Sequence, residues 1–134
     1  MRLLLVEDEP FIAMDLETLA TSAGHQVVGV AECMNSACDM ASAQHPQAAL
    51  VDLNLRDGLT GPEIARRLTG QHGMKVAFVT GNAEQLKNDF AGALGVLEKP
   101  FNDVGVLELL KLLEAALCGT DAASPRFVTL ARLA

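Results

Sequence analysis

The chain has 134 residues and a mass of 14.2 kDa, enough for one domain with a single core. Half of its residues are hydrophobic and 20% are charged, which excludes intrinsic disorder. Ten Lys and Arg against 17 Asp and Glu give a net charge of −7, which argues against electrostatic binding to nucleic acid or an anionic membrane. The apolar start is interrupted at Glu7, too early for a signal peptide, and no apolar run could span a bilayer. We therefore expect a cytoplasmic protein.

Five short apolar runs predict strands that are buried on both faces of a sheet. In chain order they are Leu3–Val6, Val27–Ala31, Ala48–Leu53, Val76–Val79 and Val96–Leu97.

After each run, apolar residues recur at the spacing of a helix. These predicted helical stretches are 12–23, 35–45, 60–68, 83–91 and 102–117. Asn35 and Asn102 are predicted N-caps, and Thr60 is predicted to form a capping box with Glu63. Five strand–helix units in series predict an α/β fold, a parallel sheet with helices on both faces.

The composition changes from Thr120 onward, and we expect a domain over 1–118 and a linker with a short apolar tail over 119–134. The tail is either loosely packed or docks on its own domain or on a partner. The cysteines Cys33, Cys38 and Cys118 are odd in number and form no CxxC pair. They argue against a disulfide framework or a zinc site and are expected to be buried or half-buried apolar side chains.

Acidic side chains follow two strands that we expect to be neighbours. Glu7 and Asp8 follow the first strand, and Asp52 lies near the end of the third. Ligands of such sheets bind beyond the carboxyl ends of the strands, where these three carboxylates would converge. Their mutual repulsion favours a hard divalent cation such as Mg²⁺. The alternative for Asp52 is a buried carboxylate that only orders its loop.

Thr80 ends the fourth strand and Lys99 follows the fifth, so both groups would face the acids. Lys99 could bind a phosphoryl oxygen or simply pair with the carboxylates, and Thr80 could donate to a phosphoryl oxygen or cap its strand. Together, the groups indicate phosphoryl transfer to Asp52 as the nucleophile, with Mg²⁺, Lys99 and Thr80 neutralising charge. No side chain is obviously poised to hydrolyse the product, which indicates a switch rather than a turnover enzyme.

These residues resemble the receiver domain of bacterial two-component response regulators. The resemblance covers residues 1–117 and rests on five motifs that occur in the family's order. They are Leu5–Pro10, Val51–Leu55, Asp57–Gly58, Val79–Gly81 and Glu98–Phe101.

The resemblance implies a flavodoxin-like fold with strand order 2-1-3-4-5. It implies that Asp52 is the phosphoacceptor, that Thr80 is the switch hydroxyl and that Lys99 binds phosphate. Glu7, Asp8, Asp52 and the backbone carbonyl of Asn54 would hold Mg²⁺, or alternatively Mn²⁺. The Lys99–Pro100 bond would be cis, and the phosphodonor would be a histidine kinase or a histidine phosphotransfer protein.

One position departs from the family pattern. Val96 stands where receivers usually carry an aromatic residue, and the chain contains no Tyr. The usual coupling between threonine and aromatic is therefore in doubt, although Gly81 could supply backbone freedom. The Phe-x-Thr-Gly sequence that ends at Gly81 resembles a subset of alphaproteobacterial receivers.

The residues after Leu117 are too few for an output domain, so we expect a stand-alone regulator whose output is binding to another protein, or phosphate relay or removal. A homodimer could form through the face made by the predicted fourth helix, fifth strand and fifth helix, and the tail could cover that face. Leu86 and Phe90 lie in this region.

Three other functions remain open. A haloacid-dehalogenase-type phosphatase would need a second Asp where this chain has Asn54. A calcium loop would use Asp52, Asn54 and Glu63, but Asp57 stands where that loop needs glycine. The third alternative is a receiver-fold docking module that is never phosphorylated.

Overall fold

The computed structural model of the protein describes residues 1–87 and 89–119, and the backbone of Val128–Leu130. The strands are β1 (Arg2–Val6), β2 (Gln26–Ala31), β3 (Ala48–Val51), β4 (Lys75–Thr80), β5 (Gly95–Glu98) and β6 (Val128–Leu130). The α-helices are α1 (Pro10–Ser22), α2 (Met34–Gln44), α3 (Gly61–His72) and α4 (Asp103–Cys118). A 3₁₀ turn, Ala83–Leu86, follows β4.

The strands form one parallel sheet in the order β2-β1-β3-β4-β5-β6. The first five strands have the predicted order 2-1-3-4-5, so the predicted fold is confirmed. The sixth strand was not predicted. It lies beyond β5 and is formed by residues of the predicted tail, whereas residues 120–127, which include the predicted linker, lie outside the described part of the chain.

Two apolar layers sandwich the sheet. Alternate residues of β1 face opposite layers: Leu4 and Val6 pack with α2 and α3, and Leu3 and Leu5 pack with α1 and α4. Both faces are covered, which is why each strand reads as an unbroken apolar run. Among the described residues, no helix combines the length and apolarity that crossing a bilayer requires. Cys33 and Cys38 are half-buried as predicted, whereas Cys118, at the end of α4, is exposed.

The helix caps agree with the sequence at one of three positions. Asn102 caps α4, and its side chain accepts a hydrogen bond from Gly105 N at 2.9 Å. Asn35 was predicted wrongly, because the N-cap of α2 is Cys33, two residues earlier, and the Ser36 hydroxyl accepts from Cys33 N at 3.3 Å. Thr60 precedes α3, but its hydroxyl donates to Asp57 at 2.6 Å and forms no capping box. Thr60 has a helical backbone (φ −99°, ψ −9°), whereas a capping residue typically has an extended one.

The predicted fourth helix was wrong. Only the turn Ala83–Leu86 forms, because Lys87 takes a left-handed backbone conformation (φ 47°) that a right-handed helix cannot continue. The Asp89 carboxylate then accepts a hydrogen bond from Ala91 N at 3.2 Å and pairs with Arg66 of α3. Such local side-chain bonds compete with helical hydrogen bonding.

Gly61 lets the start of α3 approach the loop after β3. A Cβ atom on Gly61 would lie 2.2 Å from the Asp52 carbonyl oxygen and 2.5 Å from Leu53 Cα. Gly61 N also donates to Leu53 O at 3.0 Å. Only glycine permits this distance, so Gly61 helps to set the position of the backbone of Asp52.

We predict that Gly61→Ala lowers the free energy of unfolding by about 2 kcal/mol, because backbone atoms must move to relieve the overlap. Denaturant unfolding, with the midpoint and slope both fitted, measures this change.

Gly70→Ala in the same helix is the matched control. No atom lies within 4 Å of a Cβ built at Gly70. Alanine there should raise the free energy of unfolding by about 0.5 to 1 kcal/mol through helix propensity alone. Equal effects of the two substitutions would contradict the close approach at Gly61.

Candidate functional site

Four adjacent strands deliver the predicted site residues to one edge of the sheet. Glu7 follows β1, Asp52 follows β3, Thr80 ends β4 and Lys99 follows β5. Three of these positions are held by main-chain bonds that extend the strand ladders by one residue. Glu7 N donates to Ala31 O, Asp52 N to Val6 O and Lys99 N to Thr80 O, each at 2.9 Å.

The carboxylates of Glu7, Asp8 and Asp52 converge. One oxygen from each lies within 4.8 Å of those of the other two. Glu7 is 2% exposed and Asp52 is 7% exposed, whereas Asp8 is half-buried. Three acids this close and this poorly hydrated are unfavourable unless a cation neutralises them.

Lys99 supplies one such cation. Its Nζ donates to Glu7 Oε2 and to Asp52 Oδ2, both at 2.9 Å, and to Glu9 Oε2 at 3.4 Å. Burial lowers the pKa of Lys99, but its hydrogen bonds and attraction to Glu7 and Asp52 outweigh burial, so the pKa is raised and the ammonium stays charged. The ion pair that the sequence allowed as an alternative is therefore present. The Lys99–Pro100 bond is cis, as the resemblance implied.

Glu7 is the acid that the pocket destabilises. Burial raises the pKa of Glu7 to about 7; the Lys99 hydrogen bond opposes this rise, and the charge of Asp52 adds to it. Near neutral pH, the single ammonium of Lys99 therefore does not fully compensate the negative charge of the three carboxylates. Glu7, Asp8 and Asp52 offer only hard oxygen ligands, so their number, type and spacing fit a divalent cation such as Mg²⁺.

Thr80 is fully buried beneath the turn that follows β4. Its Oγ1 accepts a hydrogen bond from Asn82 N at 3.1 Å. In this conformation the hydroxyl caps the strand end, which is the alternative role that the sequence left open, and Thr80 does not line the pocket.

The site opens into a pocket of about 350 Å³. Its walls are Asp8, Glu9, Asp52, Asn54, Leu55, Gly81, Asn82 and Lys99. Asn54 is held there by its Nδ2, which donates to Gln85 Oε1 of the 3₁₀ turn at 2.7 Å.

Sequence reasoning gave no role to Glu9 or Gln85. The position of Glu9 in the acidic run after β1 could have indicated its place at the site, whereas nothing in the sequence marks Gln85 as a neighbour of Asn54.

Glu63, which a calcium loop would require, instead pairs with Arg67 at 3.4 Å and with Arg66 at 3.5 Å. A buried carboxylate beside an ammonium and two other acids can hold a hard cation and a phosphoryl group side by side.

Comparisons with known proteins agree with this geometry. A family model described as response regulator receiver domain matches residues 3–111. The phyllosphere-induced regulator PhyR of Methylorubrum extorquens is 36% identical over 106 residues, which cover 78% of this chain and 40% of that protein. The transcriptional regulatory protein PdtaR of Mycobacterium tuberculosis is 30% identical over 119 residues, which cover 87% of this chain and 56% of that protein.

Solved structures give the same relationship. The crystal structure of the response regulator PhyR from Brucella abortus has a TM-score of 0.80 and 32% identity, and the match covers 91% of this chain and 51% of that one. The chain spans about half the length of the curated relatives it matches. Since the family match takes in every strand that carries a site residue, the chain belongs to the response regulator receiver domain family.

Proposed function

We propose that the chain is a signalling switch in which Asp52 accepts a phosphoryl group in a Mg²⁺-dependent reaction. The observation that carries this proposal is the position of Lys99 Nζ, 2.9 Å from both Asp52 and Glu7 in a carboxylate cluster at the strand ends. An ammonium there is placed to pair with a phosphoryl oxygen as soon as Asp52 becomes phosphorylated.

The phosphodonor in this proposal is a phosphohistidine on a histidine kinase or a histidine phosphotransfer protein. An Asp52 carboxylate oxygen forms the new bond to phosphorus, the bond between phosphorus and the imidazole nitrogen breaks, and the imidazole leaves with a proton from solvent. Lys99 orients and neutralises the transferred group, and Thr80 donates to it after its bond with Asn82 N is released.

Glu7, Asp8, Asp52 and the Asn54 backbone carbonyl are the groups that would hold Mg²⁺, or Mn²⁺ in its place. The bound ion would neutralise the carboxylates and the phosphoryl oxygens. Glu7, which the pocket destabilises in its charged form, would act through a coordinated water.

The output is binding to another protein, or relay or removal of the phosphoryl group. The structure of PhyR from Bartonella quintana, 31% identical to this chain, carries the description anti-anti-sigma factor. That description supports a regulatory protein, rather than nucleic acid or a membrane, as the partner of this chain. We place this activity in the cytoplasm and regard the chain as a slowly self-dephosphorylating switch, not a turnover enzyme. The remaining alternative, a docking module without phosphorylation, is tested by the same experiment.

We predict that incubation with Mg²⁺ and acetyl phosphate adds one phosphoryl group to the protein, because the reacting carboxylate and its neutralising groups are already assembled. Intact-mass measurement detects the addition, which should vanish on chelation of the metal and in Asp52→Asn.

Asp39→Asn is the matched control, since Asp39 is an exposed carboxylate on α2, away from the pocket. It should be phosphorylated like the wild type. A wild-type protein that gains no mass would support the docking module, and equal labelling of the Asp52 variant would refute Asp52 as the acceptor.

We predict that Glu7 lowers the free energy of unfolding of the metal-free protein by an amount that depends on pH. With a pKa of about 7 against an ordinary value of 4.5, native Glu7 holds a proton that the unfolded chain releases. Stability therefore falls as pH rises from 4.5 to 7, and the cost is fully present above that range. Between about pH 5.5 and pH 8, wild type should lose about 1 to 2 kcal/mol relative to Glu7→Gln.

Denaturant unfolding of both proteins at the two pH values gives this difference. His25, whose pKa is lowered by burial, changes stability in the opposite direction but does so in both proteins. Saturating Mg²⁺ should reduce the difference because it favours the charged carboxylates. An unchanged pH dependence in Glu7→Gln would contradict the assignment.

We predict that Asn54→Ala and Asn82→Ala accelerate dephosphorylation about threefold or more without preventing phosphorylation, because both residues line the pocket at Asp52 and their loss would open it to an attacking water. Loss of the phosphorylated mass with time measures the rate. Asn35→Ala, an exposed amide on α2, is the control. Unchanged rates in both pocket variants would refute the prediction.

A further inference from the structure

The outer edge of β5 carries a strand formed by residues that lie beyond the family match. Gly95 pairs with Val128, Val96 with Thr129 and Leu97 with Leu130, in parallel. We propose that this edge is a strand-binding site whose occupant is the C-terminal segment of the same chain. A second copy or partner protein must displace that segment before it can pair with β5.

Strand β5 is paired and buried like an interior strand of the sheet. One edge of β5 pairs with β4 and the other with β6. Val96 is 2% exposed and Leu97 is 1% exposed. Without β6, the outer row of amide and carbonyl groups would be unpaired and would form a template for another chain.

The connection favours an occupant from the same chain. Helix α4 returns the chain to the end of the sheet where parallel strands begin, as a strand–helix–strand crossover requires. Gly119 then ends the helix in a left-handed conformation (φ 71°). The eight residues 120–127 can span at most about 27 Å, and the helix layer and the sheet lie about 10 Å apart. The connection is therefore long enough for β6 to come from the same chain.

The residue types of β6 favour a strand, and its short length makes the pairing with β5 reversible. Val128 and Thr129 are β-branched residues of the type enriched in strands. The strand has only three residues, close to the lower limit for strands in proteins. A ladder this short can be displaced by a longer or better matched strand.

The pairing of β6 with β5 bears on dimerisation, because β5 belongs to the face expected to form a homodimer. The homodimer that the family resemblance implied would use the face that contains β5. In the structure, β6 already lies along that strand. The same strand leads into Lys99, so its outer edge and the acidic pocket share one element.

The test uses the full chain with Thr129→Pro and Leu130→Pro together. Consecutive amides of a strand point to opposite sides, so this double variant removes one that faces β5. The matched control carries Ala122→Pro and Ala123→Pro, two prolines outside the strand. Among residues 95–98, the amides that face β6 should exchange at least about tenfold faster in the strand variant than in the wild type and the control, whereas those that face β4 should stay protected.

A second measurement adds a labelled synthetic peptide of residues 124–134 in trans. It should bind the strand variant at least about tenfold more tightly than wild type, because the wild-type edge is already occupied. A peptide with the same two prolines should not bind. Exchange protection in β1 shows that the variant remains folded.

Equal exchange of the β5 amides that face β6 in all three proteins, or equal peptide affinity for wild type and strand variant, would overturn the proposal. Light scattering supplies a further outcome. A wild-type dimer that becomes a monomer in the strand variant would show that the strand comes from a second copy, which would overturn the intramolecular assignment.

Discussion

The structure depends on one ammonium group held between two buried carboxylates. Lys99 Nζ bonds to Glu7 and Asp52 equally closely, so the three strands that carry these residues meet at a single charged contact. Removing one member of a buried ion pair typically costs about 3 to 5 kcal/mol, because the remaining charge loses its partner. In the proposed function, a phosphoryl group on Asp52 would act directly on this contact, because Lys99 Nζ already lies 2.9 Å from Asp52.

Most of the fold could be predicted from the sequence because its strands are buried on both faces. Such strands appear as apolar runs, and an acid at or directly after the end of a run lies at the strand end whatever the loops do. Glu7 and Asp52 were predicted to converge for this reason. The Asn102 cap was equally predictable, since the amide side chain and the main-chain donor it satisfies are three residues apart.

The features that sequence reasoning missed depend on contacts between distant residues. The helix predicted after β4 fails because Asp89 bonds locally to Ala91 and pairs with Arg66. The need for glycine at position 61 arises from the Asp52 backbone and not from a turn, and the bond between Asn54 and Gln85 joins two separate loops. Strand β6 has too few residues to give a periodic signal. Val96 was recognised as a departure, and it pairs with Phe78 in the interior of the sheet.

In the proposed switch, the acids, a divalent cation and Lys99 together hold a tetrahedral phosphoryl group on Asp52. Fluorine NMR of the protein with beryllofluoride, a phosphoryl mimic, tests it most directly. We expect protein-bound fluorine signals that need Mg²⁺, disappear in Asp52→Asn and weaken strongly in Lys99→Ala. Bound signals that persist in Asp52→Asn, or no bound signal in the wild type with Mg²⁺, would contradict it.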